Sequence, residues 1–333
     1  MHILLDFALV AKGRILMCNV EKKKISHIHN KKNPAECNGG IFLQKTKLLK
    51  RIAIQGGAGA FHQIAAQQFF KNEKIDIVPC VTFRDIFTAA EKDHSLIGIM
   101  AIENTIAGSL LQNHNLLKDS DLLIAGEHKL RISHSLVALS GESISGIKEV
   151  MSHPMALMQC QDFLDTLPDA KLVEHDDTAL AAKEIQDKKL TGTATICSTL
   201  AAEMYGLEIL AAGIETNKRN FTRFLVLAQG EMLREVQKGS CINKSSLVFV
   251  LPHSEGSLSQ VLSVLSFYNI NLTHIQSLPV IGQEWQYQFY IDLTFADYSR
   301  YRQAIDAIMP LISQLKVLGE YSECSISDFE KNE

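Results

Sequence analysis

Residues 51–70 read RIAIQGGAGAFHQIAAQQFF. Within this stretch RIAIQ is a short apolar run typical of a buried strand, GGAG is a tight turn, and FHQIAAQQFF carries apolar residues at helical spacing. Further strands are predicted at 75–81, 95–102, 134–139, 148–153, 194–198 and 222–228, with helical segments between them. This alternation predicts an α/β fold with mostly parallel sheets, and its length predicts two lobes.

The two ends of the chain differ from this α/β region. Residues 1–50 hold ten basic and three acidic residues without a sustained period, and we expect a basic extension with little fixed structure. Residues 231–243 are interpreted as a linker. Residues 244–325 follow the order β-α-β-β-α-β of a ferredoxin-like domain. The predicted organisation is therefore an extension (1–50), a two-lobed domain (51–230), a linker (231–243) and a small C-terminal domain (244–325).

The composition excludes several classes of protein. Of the 333 residues, 46% are hydrophobic and 21% are charged, which is ordinary for a globular protein, and no apolar run approaches the roughly 18 residues of a membrane span. Because basic residues concentrate in the extension, the folded part is acidic, which argues against nucleic acid as a ligand. The seven cysteines lack the spacing of zinc or redox motifs, so we expect reduced thiols, no metal and a cytoplasmic protein.

Three polar clusters are candidates for chemistry, and the first is the glycine turn at Gly56, Gly57, Ala58 and Gly59. Glycines let the backbone approach a ligand, and free amides at a helix start can bind an anion. No Lys-Ser or Lys-Thr follows, which excludes a P-loop, and a dinucleotide fingerprint lacks its third glycine. The turn alone leaves two interpretations open, an anion site and a turn needed only for packing.

The second cluster lies in MAIENTIAGS, residues 100–109. Polar side chains follow the end of a strand here, and in open α/β sheets ligands bind at that edge. They are Glu103, Asn104, Thr105 and Ser109, with Gly108 among them. Spacing alone favours the simpler interpretation, in which Asn104 or Thr105 caps a helix.

The third cluster lies in NKRNFTRFLVL, residues 217–227. Lys218, Arg219 and Arg223 stand close together, and Asn220 and Thr222 lie at the entry to a strand. Arginine offers a planar fork that binds a carboxylate through two hydrogen bonds. Without further information, basic residues before a strand usually form a solvated turn.

Taken together, these clusters resemble the prephenate dehydratase family with its C-terminal ACT regulatory domain. The resemblance extends over about residues 51–325, and it also includes SHPMALMQCQDFL at 152–164. It implies a cofactor-free step in phenylalanine biosynthesis, in which prephenate loses water and carbon dioxide to give phenylpyruvate. It further implies a catalytic domain like the two-lobed periplasmic binding proteins, with the active site between the lobes and the chain crossing between them near residues 128 and 208.

The chemistry of prephenate assigns roles within the resemblance. Prephenate is a dianion, so we expect Arg223 to bind its pyruvyl carboxylate and the amides after Gly57 and Gly59 to bind its other end. Thr222, the threonine of the family's Thr-Arg-Phe motif, is expected to orient the leaving hydroxyl together with Asn104, and Glu103 or His62 are rival proton donors. The remaining expected substrate contacts are Phe224, Thr105, Ala60, Phe61, Ser109 and Asn220.

In the C-terminal domain the resemblance points to an effector site. Gly256, Ser257 and Leu258 correspond to the Gly-Ala-Leu turn that lines the phenylalanine site in regulated members. The companion motif Glu-Ser-Arg-Pro begins here with Gln276 and Ser277 and has lost both charged residues. We therefore expect feedback by L-phenylalanine to be weak, altered or absent, while the domain still assembles a homodimer or homotetramer.

Two alternatives to prephenate dehydratase remain open. Arogenate dehydratase is the alternative within the same class, because the same cleft would accept an amino group in place of the keto group. A non-catalytic sensor of amino or keto acids is the alternative of another class, because both folds are widely used for binding. Turnover of the two substrates distinguishes all three.

Overall fold

The structure is a computed structural model, and it describes residues 49–324 except 72, 281, 284 and 285. Nearly all of the predicted N-terminal extension lies outside the described residues. The predicted two-lobed α/β region and the ferredoxin-like C-terminal domain are both confirmed. Each is built around its own sheet or sheets.

Lobe 1 is a six-stranded sheet in the order β2-β1-β3-β11-β5, with the short β4 paired to β3. Strands β1, β2 and β3 run parallel, whereas β11 is antiparallel to both of its neighbours. Its elements are β1 (Lys50–Gln55), α1 (Phe61–Phe69), β2 (Ile75–Cys80), α2 (Phe83–Lys92), β3 (Ile97–Asn104), β4 (Gly108–Ser109), α3 (Leu111–Lys118), β5 (Leu123–Arg131) and, returning later in the sequence, β11 (Phe221–Ala228).

Lobe 2 is a five-stranded sheet in the order β10-β6-β9-β7-β8. Strand β7 is parallel to β8 and β9, and β6 is antiparallel to β9 and β10. Its elements are β6 (Ser135–Ala138), a 3₁₀ turn (Ile144–Gly146), β7 (Glu149–Ser152), α4 (Pro154–Gln159), α5 (Gln161–Leu164), β8 (Lys171–Glu174), α6 (Thr178–Lys188), β9 (Thr193–Cys197), α7 (Thr199–Tyr205) and β10 (Glu208–Ala212).

The chain crosses between the lobes twice, after β5 and after β10. Both crossings lie a few residues beyond the expected positions near 128 and 208, which fall inside β5 and β10. The prediction of mostly parallel sheets is wrong. Strands β5 and β6 flank the first crossing, and β10 and β11 flank the second. Each of these four strands runs antiparallel to the strands with which it pairs.

The C-terminal domain has the ferredoxin-like strand order β13-β14-β12-β15, all antiparallel. The segment predicted as a linker contains a short helix, α8 (Gly230–Val236). The domain's elements are β12 (Lys244–Val250), α9 (Ser257–Phe267), β13 (Asn271–Pro279), β14 (Tyr287–Thr294), α10 (Tyr298–Ile308), a 3₁₀ turn (Met309–Leu311) and β15 (Gln314–Tyr321). None of the helices within the described ranges is long and apolar enough to cross a bilayer.

The C-terminal domain shares a hydrophobic core with lobe 1. Met100, Ile124 and Leu225 of lobe 1 pack in one buried cluster with Val248 and Tyr290 of the C-terminal sheet. The approach is close, because a Cβ added at Gly319 would collide with the backbone of Ile124. The sheet face opposite α9 and α10 is thus covered by lobe 1, and the two domains are joined by packing as well as by the chain.

Candidate active site

A cleft of about 1150 Å³ opens at the end of the lobe 1 sheet and faces lobe 2. Lobe 2 contributes Ser198 and Thr199 to its wall, and the C-terminal domain contributes His274 and Cys324. Six of the residues predicted from the sequence also line it: Phe61, Glu103, Asn104, Thr105, Ser109 and Arg223. The volume is ample for a small cyclic dianion.

A hydrogen bond joins Asn104, which lines the cleft, to Thr222, which is buried and is not among the lining residues. These residues are partners in the β3–β11 register, and Asn104 Nδ2 donates to Thr222 Oγ1 at 2.9 Å. The other end of the amide accepts from the backbone amides of Ile106 and Ala107, both at 2.9 Å. Asn104 therefore caps the turn before β4, not a helix as spacing favoured, and its orientation is fixed by that cap. Because Thr222 Oγ1 accepts from Asn104, the hydroxyl proton remains able to donate elsewhere.

A chain of polar side chains connects this pair to lobe 2. Asn104 Nδ2 also donates to Asn220 Oδ1 at 2.7 Å, and Asn220 Nδ2 donates to Gln159 Oε1 at 2.9 Å. The same oxygen lies 3.0 Å from His134 Nε2, and the His134 ring meets Phe61 edge-on at 5.3 Å. Both lobes thus hold the predicted site residues in one buried network.

Thr105 of lobe 1 forms hydrogen bonds with the segment through which the chain returns from lobe 2, between β10 and β11. Its hydroxyl donates to the carbonyl of Arg219 and accepts from the amide of Phe221, both at 2.9 Å. Lys218 and Arg219 themselves are exposed, as the simpler interpretation of the third cluster held. The Thr105 hydroxyl consequently supports the crossing, and the residue also lines the cleft.

The glycine turn is a contact between the lobes, and the amide after Gly59 is bonded within the turn, whereas anion binding by the amide after Gly57 stays a prediction. The amide of Gly59 donates to Gln63 Oε1 at 2.8 Å and that of Ala60 to the carbonyl of Gly57 at 3.1 Å. Ser198 Oγ, which caps α7, donates to the carbonyl of Gly59 at 2.6 Å. A Cβ on Gly59 would lie 2.6 Å from Ala201 Cα. The glycines are needed because the lobes approach each other too closely for side chains.

Neither rival proton donor is suited to that role. Burial by itself raises the pKa of Glu103, but the hydrogen bond from His274 and the charge of Arg223 outweigh it and lower the pKa to about 2. Burial lowers the pKa of His62 to about 4, and its ring packs against Phe83 and Phe224. At neutral pH one group is an ionised carboxylate and the other a neutral imidazole, so the predicted donation by Glu103 or His62 is not supported.

Arg223 does not present a free fork to the cleft. Its Nε donates to Glu127 Oε2 at 2.7 Å, and Nη1 contacts Glu103 Oε1 at 3.2 Å and Asp292 Oδ2 at 2.5 Å. Nη2 donates to the hydroxyl of Tyr321 at 3.0 Å. The side chain is only 6% exposed. Binding of a substrate carboxylate by Arg223, as predicted, would require it to leave these partners.

A β-bulge explains why Glu103 and Arg223 meet on this face. In the β3–β11 ladder Arg223 pairs with Glu103, whereas Phe224 pairs with Ala101, so Ile102 is the additional residue. A bulge of this kind turns the following side chain to the other face of the sheet. Glu103 is thereby directed toward Arg223 and His274 of the C-terminal domain.

The remaining predicted residues lie in the core, on the cleft wall and in the C-terminal domain. Phe224 and Ala60 are buried in packing positions, and Ser109 follows on β4 at the cleft wall. Gly256, at φ +76°, precedes α9, with Ser257 and Leu258 in its first turn, whereas Gln276 and Ser277 lie on β13. No contact described between residues 49 and 324 joins these two groups, and their role as an effector site stays a prediction.

Several residues of the site were missed from the sequence. Lys129 and Arg131 line the cleft from β5, a strand that was not predicted. Glu127, Lys244 and Asp292 are buried charged residues on strands. An acid or a lysine within an apolar strand is a signal of a paired internal charge, but its partner is set only by the tertiary fold.

Comparisons with known proteins agree with this geometry. The family model described as prephenate dehydratase matches residues 52–232. Arogenate dehydratase 2 of Petunia hybrida is 37% identical over 81% of this chain and 71% of its own length. The bifunctional chorismate mutase/prephenate dehydratase of Aquifex aeolicus is 33% identical over 84% of this chain and 75% of its own. The structure of prephenate dehydratase from Arthrobacter aurescens in complex with L-Phe is 26% identical, covers 82% of this chain and 89% of its own, and superposes with a TM-score of 0.72.

Proposed function

The chain belongs to the prephenate dehydratase family, and from that premise we propose that it converts prephenate to phenylpyruvate by loss of water and carbon dioxide. The observation that carries the proposal is the hydrogen bond to Thr222 from Asn104, a residue of the cleft wall. Because the Thr222 hydroxyl accepts in this bond, its proton stays available for a second hydrogen bond, and we assign the leaving hydroxyl of the substrate to that bond.

The charge of the cleft supports a dianionic substrate. Lys129 and Arg131 stand on its wall, while the negative charge of Glu103 is paired with Arg223. Arg131 also lies 4.0 Å from Glu215 Oε1, and the two basic side chains of β5 supply cations to the cleft wall although the chain as a whole is acidic. We assign the pyruvyl carboxylate to the end of the cleft near Lys129 and Arg131, because a cationic side chain there offsets the desolvation of the anion.

The reaction consumes one proton. The electrons of the bond between the ring and its carboxylate move into the ring, carbon dioxide leaves, and the bond to the hydroxyl breaks on the opposite carbon as the ring becomes aromatic. The hydroxyl leaves as water after taking up a proton. Thr222 supplies a hydrogen bond to the departing oxygen, and because a threonine hydroxyl is a very weak acid the proton itself is taken up from bulk solvent, so that the net reaction consumes one solvent proton.

The ring carboxylate is best left without a strong cationic partner. A tight ion pair there would stabilise the substrate more than the transition state, in which that charge disperses. Phe61 and Ile64 offer less polar surface on the cleft wall. The enzyme gains rate instead by holding the diene in the geometry of elimination.

Arogenate dehydratase is the second candidate, favoured by the name of the Petunia relative, which is 37% identical. Arogenate differs from prephenate only in carrying an ammonium group in place of the keto group. The elimination at the ring is the same, and Asn104 and Thr222 would act identically. The two candidates therefore differ in the contacts of the side chain, not in the reacting centre.

A direct assay tests both candidates. The full chain is incubated with prephenate and, separately, with arogenate, and phenylpyruvate and phenylalanine are measured by chromatography. Phenylpyruvate from prephenate supports the proposal, and a larger kcat/KM with arogenate supports the second candidate. No product from either substrate rejects both and leaves the non-catalytic sensor.

For the C-terminal domain we propose a regulatory role of the ACT type. The support is its ferredoxin-like topology and the complex that the similar Arthrobacter protein forms with L-Phe. We propose in addition that the protein is cytoplasmic and assembles as a homodimer or homotetramer. Kinetics with and without L-phenylalanine test the first point, and size-exclusion chromatography with light scattering tests the last.

A further inference from the structure

A buried cluster of charged and polar side chains joins the catalytic strands to the C-terminal sheet. We call it the Arg223 cluster. Its members are Glu103, Glu127 and Arg223 from lobe 1 and Lys244, Ser246, His274, Asp292 and Tyr321 from the C-terminal domain. Three carboxylates face two permanent cations, and Glu127 is fully buried while Lys244 and Arg223 are 3% and 6% exposed.

Contacts across the domain boundary account for much of the cluster. Arg223 binds Asp292 and Tyr321, and Lys244 Nζ lies 3.0 Å from both oxygens of Glu127. Ser246 ties the C-terminal members together, because its hydroxyl bonds to the carboxylate of Asp292 and lies 2.8 Å from the Tyr321 hydroxyl. Each domain thus supplies the counter-charges that the other has buried.

The cluster adjoins the candidate catalytic pair, and Glu103, Arg223 and His274 of the cluster also line the cleft. Arg223 follows Thr222 on β11, and Glu103 precedes Asn104 on β3. Arg223 and Glu103 are themselves a cross-strand pair joined by an ion pair at 3.2 Å. Both are held by the C-terminal domain, Arg223 by Asp292 and Glu103 by His274 at 3.1 Å.

The contacts that hold Arg223 and Glu103 lie next to the two candidate catalytic residues and therefore affect the geometry of their side chains. Thr222 is the second residue of β11 and Asn104 the last of β3, so both lie where a strand meets a connecting segment. The crossing segment from lobe 2 ends where β11 begins, one residue before Thr222, and the turn to β4 begins directly after Asn104. A side-chain anchor on the adjacent residue therefore restricts the angle at which each catalytic side chain enters the cleft.

We propose that Asp292 and Tyr321 of the C-terminal domain are positioning residues for the dehydration, acting through Arg223 on the Thr222 hydroxyl. The inference rests on the proposed function for its kinetic consequence. The C-terminal domain is thereby part of the catalytic unit, and a displacement of its sheet changes the geometry of the pair formed by Asn104 and Thr222.

The test uses Asp292→Asn in the full chain. The amide keeps the shape of the carboxylate but removes the charge that binds Arg223. We expect kcat to fall about 10- to 100-fold with KM changed less than about threefold, because an interaction that matters only in the transition state lowers kcat. Amide hydrogen exchange of the segments that contain Thr222 and Asn104 should become faster. Asp292→Glu, which restores the charge, should recover part of kcat.

Two controls separate positioning from general destabilisation. Asp306→Asn changes an exposed aspartate of α10 in the same domain and should leave kcat and both exchange rates unchanged. Tyr321→Phe removes only the hydroxyl that accepts from Arg223 and should lower kcat about three- to tenfold, which keeps the test available if Asp292→Asn does not fold. Its matched control is Tyr298→Phe, whose hydroxyl binds Glu320 on the exposed side.

Failure of this positioning proposal can be distinguished from failure of the proposed dehydratase function. If folded Asp292→Asn and Tyr321→Phe keep the wild-type kcat and exchange rates, the proposal is overturned while the dehydratase function stands. A raised kcat/KM in Asp292→Asn also overturns it, since Asp292 would then be competing with the substrate for Arg223. If the wild type turns over neither substrate, the proposed function fails, and unchanged exchange at Thr222 and Asn104 would still reject the coupling.

Discussion

The side chains of Asn104 and Thr222, 118 positions apart in the sequence, are joined by a hydrogen bond of 2.9 Å, and Asn104 lines the cleft that faces lobe 2. The direction of this bond matters, because the amide donates and the hydroxyl accepts. Asn104 cannot rotate to reverse it, since its oxygen is held by two backbone amides. The Thr222 proton is consequently left for the substrate.

Asn104→Asp tests this direction. The substituted side chain still caps the turn with one oxygen, but it now accepts from Thr222 and draws the hydroxyl proton away from the substrate. We expect kcat to fall by roughly 10²–10³, the usual effect of losing a donor at a reacting oxygen. Asn217→Asp is the control, because Asn217 accepts from a backbone amide on the exposed crossing segment and an aspartate there keeps that bond. Steady-state kinetics that leave Asn104→Asp within about threefold of wild type would contradict the assigned direction.

The stability of the protein should fall in acid through Glu103. Its pKa in the folded protein is about 2 against an ordinary value of 4.5. A lowered pKa contributes stability that is fully present above pH 4.5 and is lost as the pH falls toward 2. Since the side chain is 33% exposed, solvent screening reduces the contribution to about 1–2 kcal/mol. Chemical denaturation should show Glu103→Gln less stable than wild type at pH 7, with the difference shrinking between pH 4.5 and 2; a constant difference would show that the carboxylate is not held in this way.

Arg223→Gln should lower the free energy of unfolding, and this loss of stability should be its main effect, with little change in substrate affinity. The substitution leaves Glu103, Glu127 and Asp292 short of a cation in a buried place, which costs about 3–5 kcal/mol. Adding Asp292→Asn should restore part of that loss, because it removes one of the unpaired charges. Denaturation of the two single variants and the double variant measures this coupling. An Arg223→Gln protein with wild-type stability and a raised KM would instead identify Arg223 as a substrate ligand.

The close approach of the lobes predicts a difference between two glycines. Gly59 and Gly141 have nearly the same positive φ, 87° and 89°, so replacement by alanine strains both backbones by about 1–2 kcal/mol. Only at Gly59 does the new Cβ meet a neighbour, Ala201 Cα at 2.6 Å. Gly59→Ala should therefore lower the free energy of unfolding by about 3 kcal/mol or more, and Gly141→Ala should cost only the backbone part. Equal losses in thermal or chemical unfolding would show that the lobes do not meet at this turn.

Much of the fold could be predicted because local patterns carry it. The strand, turn and helix at 51–70 and the βαββαβ order after residue 244 follow from short-range periodicity and turn chemistry. Strand β5 was missed for a physical reason. Its sequence LIAGEHKLR contains three charged or ionisable residues in a row, which is typical of a surface, yet Glu127 and His128 are buried. Their partners lie on β11, β12 and α1, and no local pattern reveals them.

The same distinction applies to the site. Asn104 and Thr222 were predicted because the resemblance includes the short motifs that carry them. The role of Arg223 was not, because a guanidinium that could bind a substrate carboxylate binds a protein carboxylate equally well. Which of the two it meets is decided by Asp292, 69 positions away, and by the packing of the C-terminal sheet on lobe 1.

The most direct test of the account is the turnover of prephenate and arogenate by Thr222→Val beside Thr222→Ser. Valine keeps the shape of threonine and removes the hydroxyl, whereas serine keeps the hydroxyl that Asn104 holds. We predict that kcat of Thr222→Val falls by roughly 10²–10⁴ on whichever substrate the wild type converts, and that Thr222→Ser stays within about tenfold of wild type. A folded Thr222→Val enzyme with near wild-type kcat would contradict the claim that this alcohol assists the departure of the ring hydroxyl.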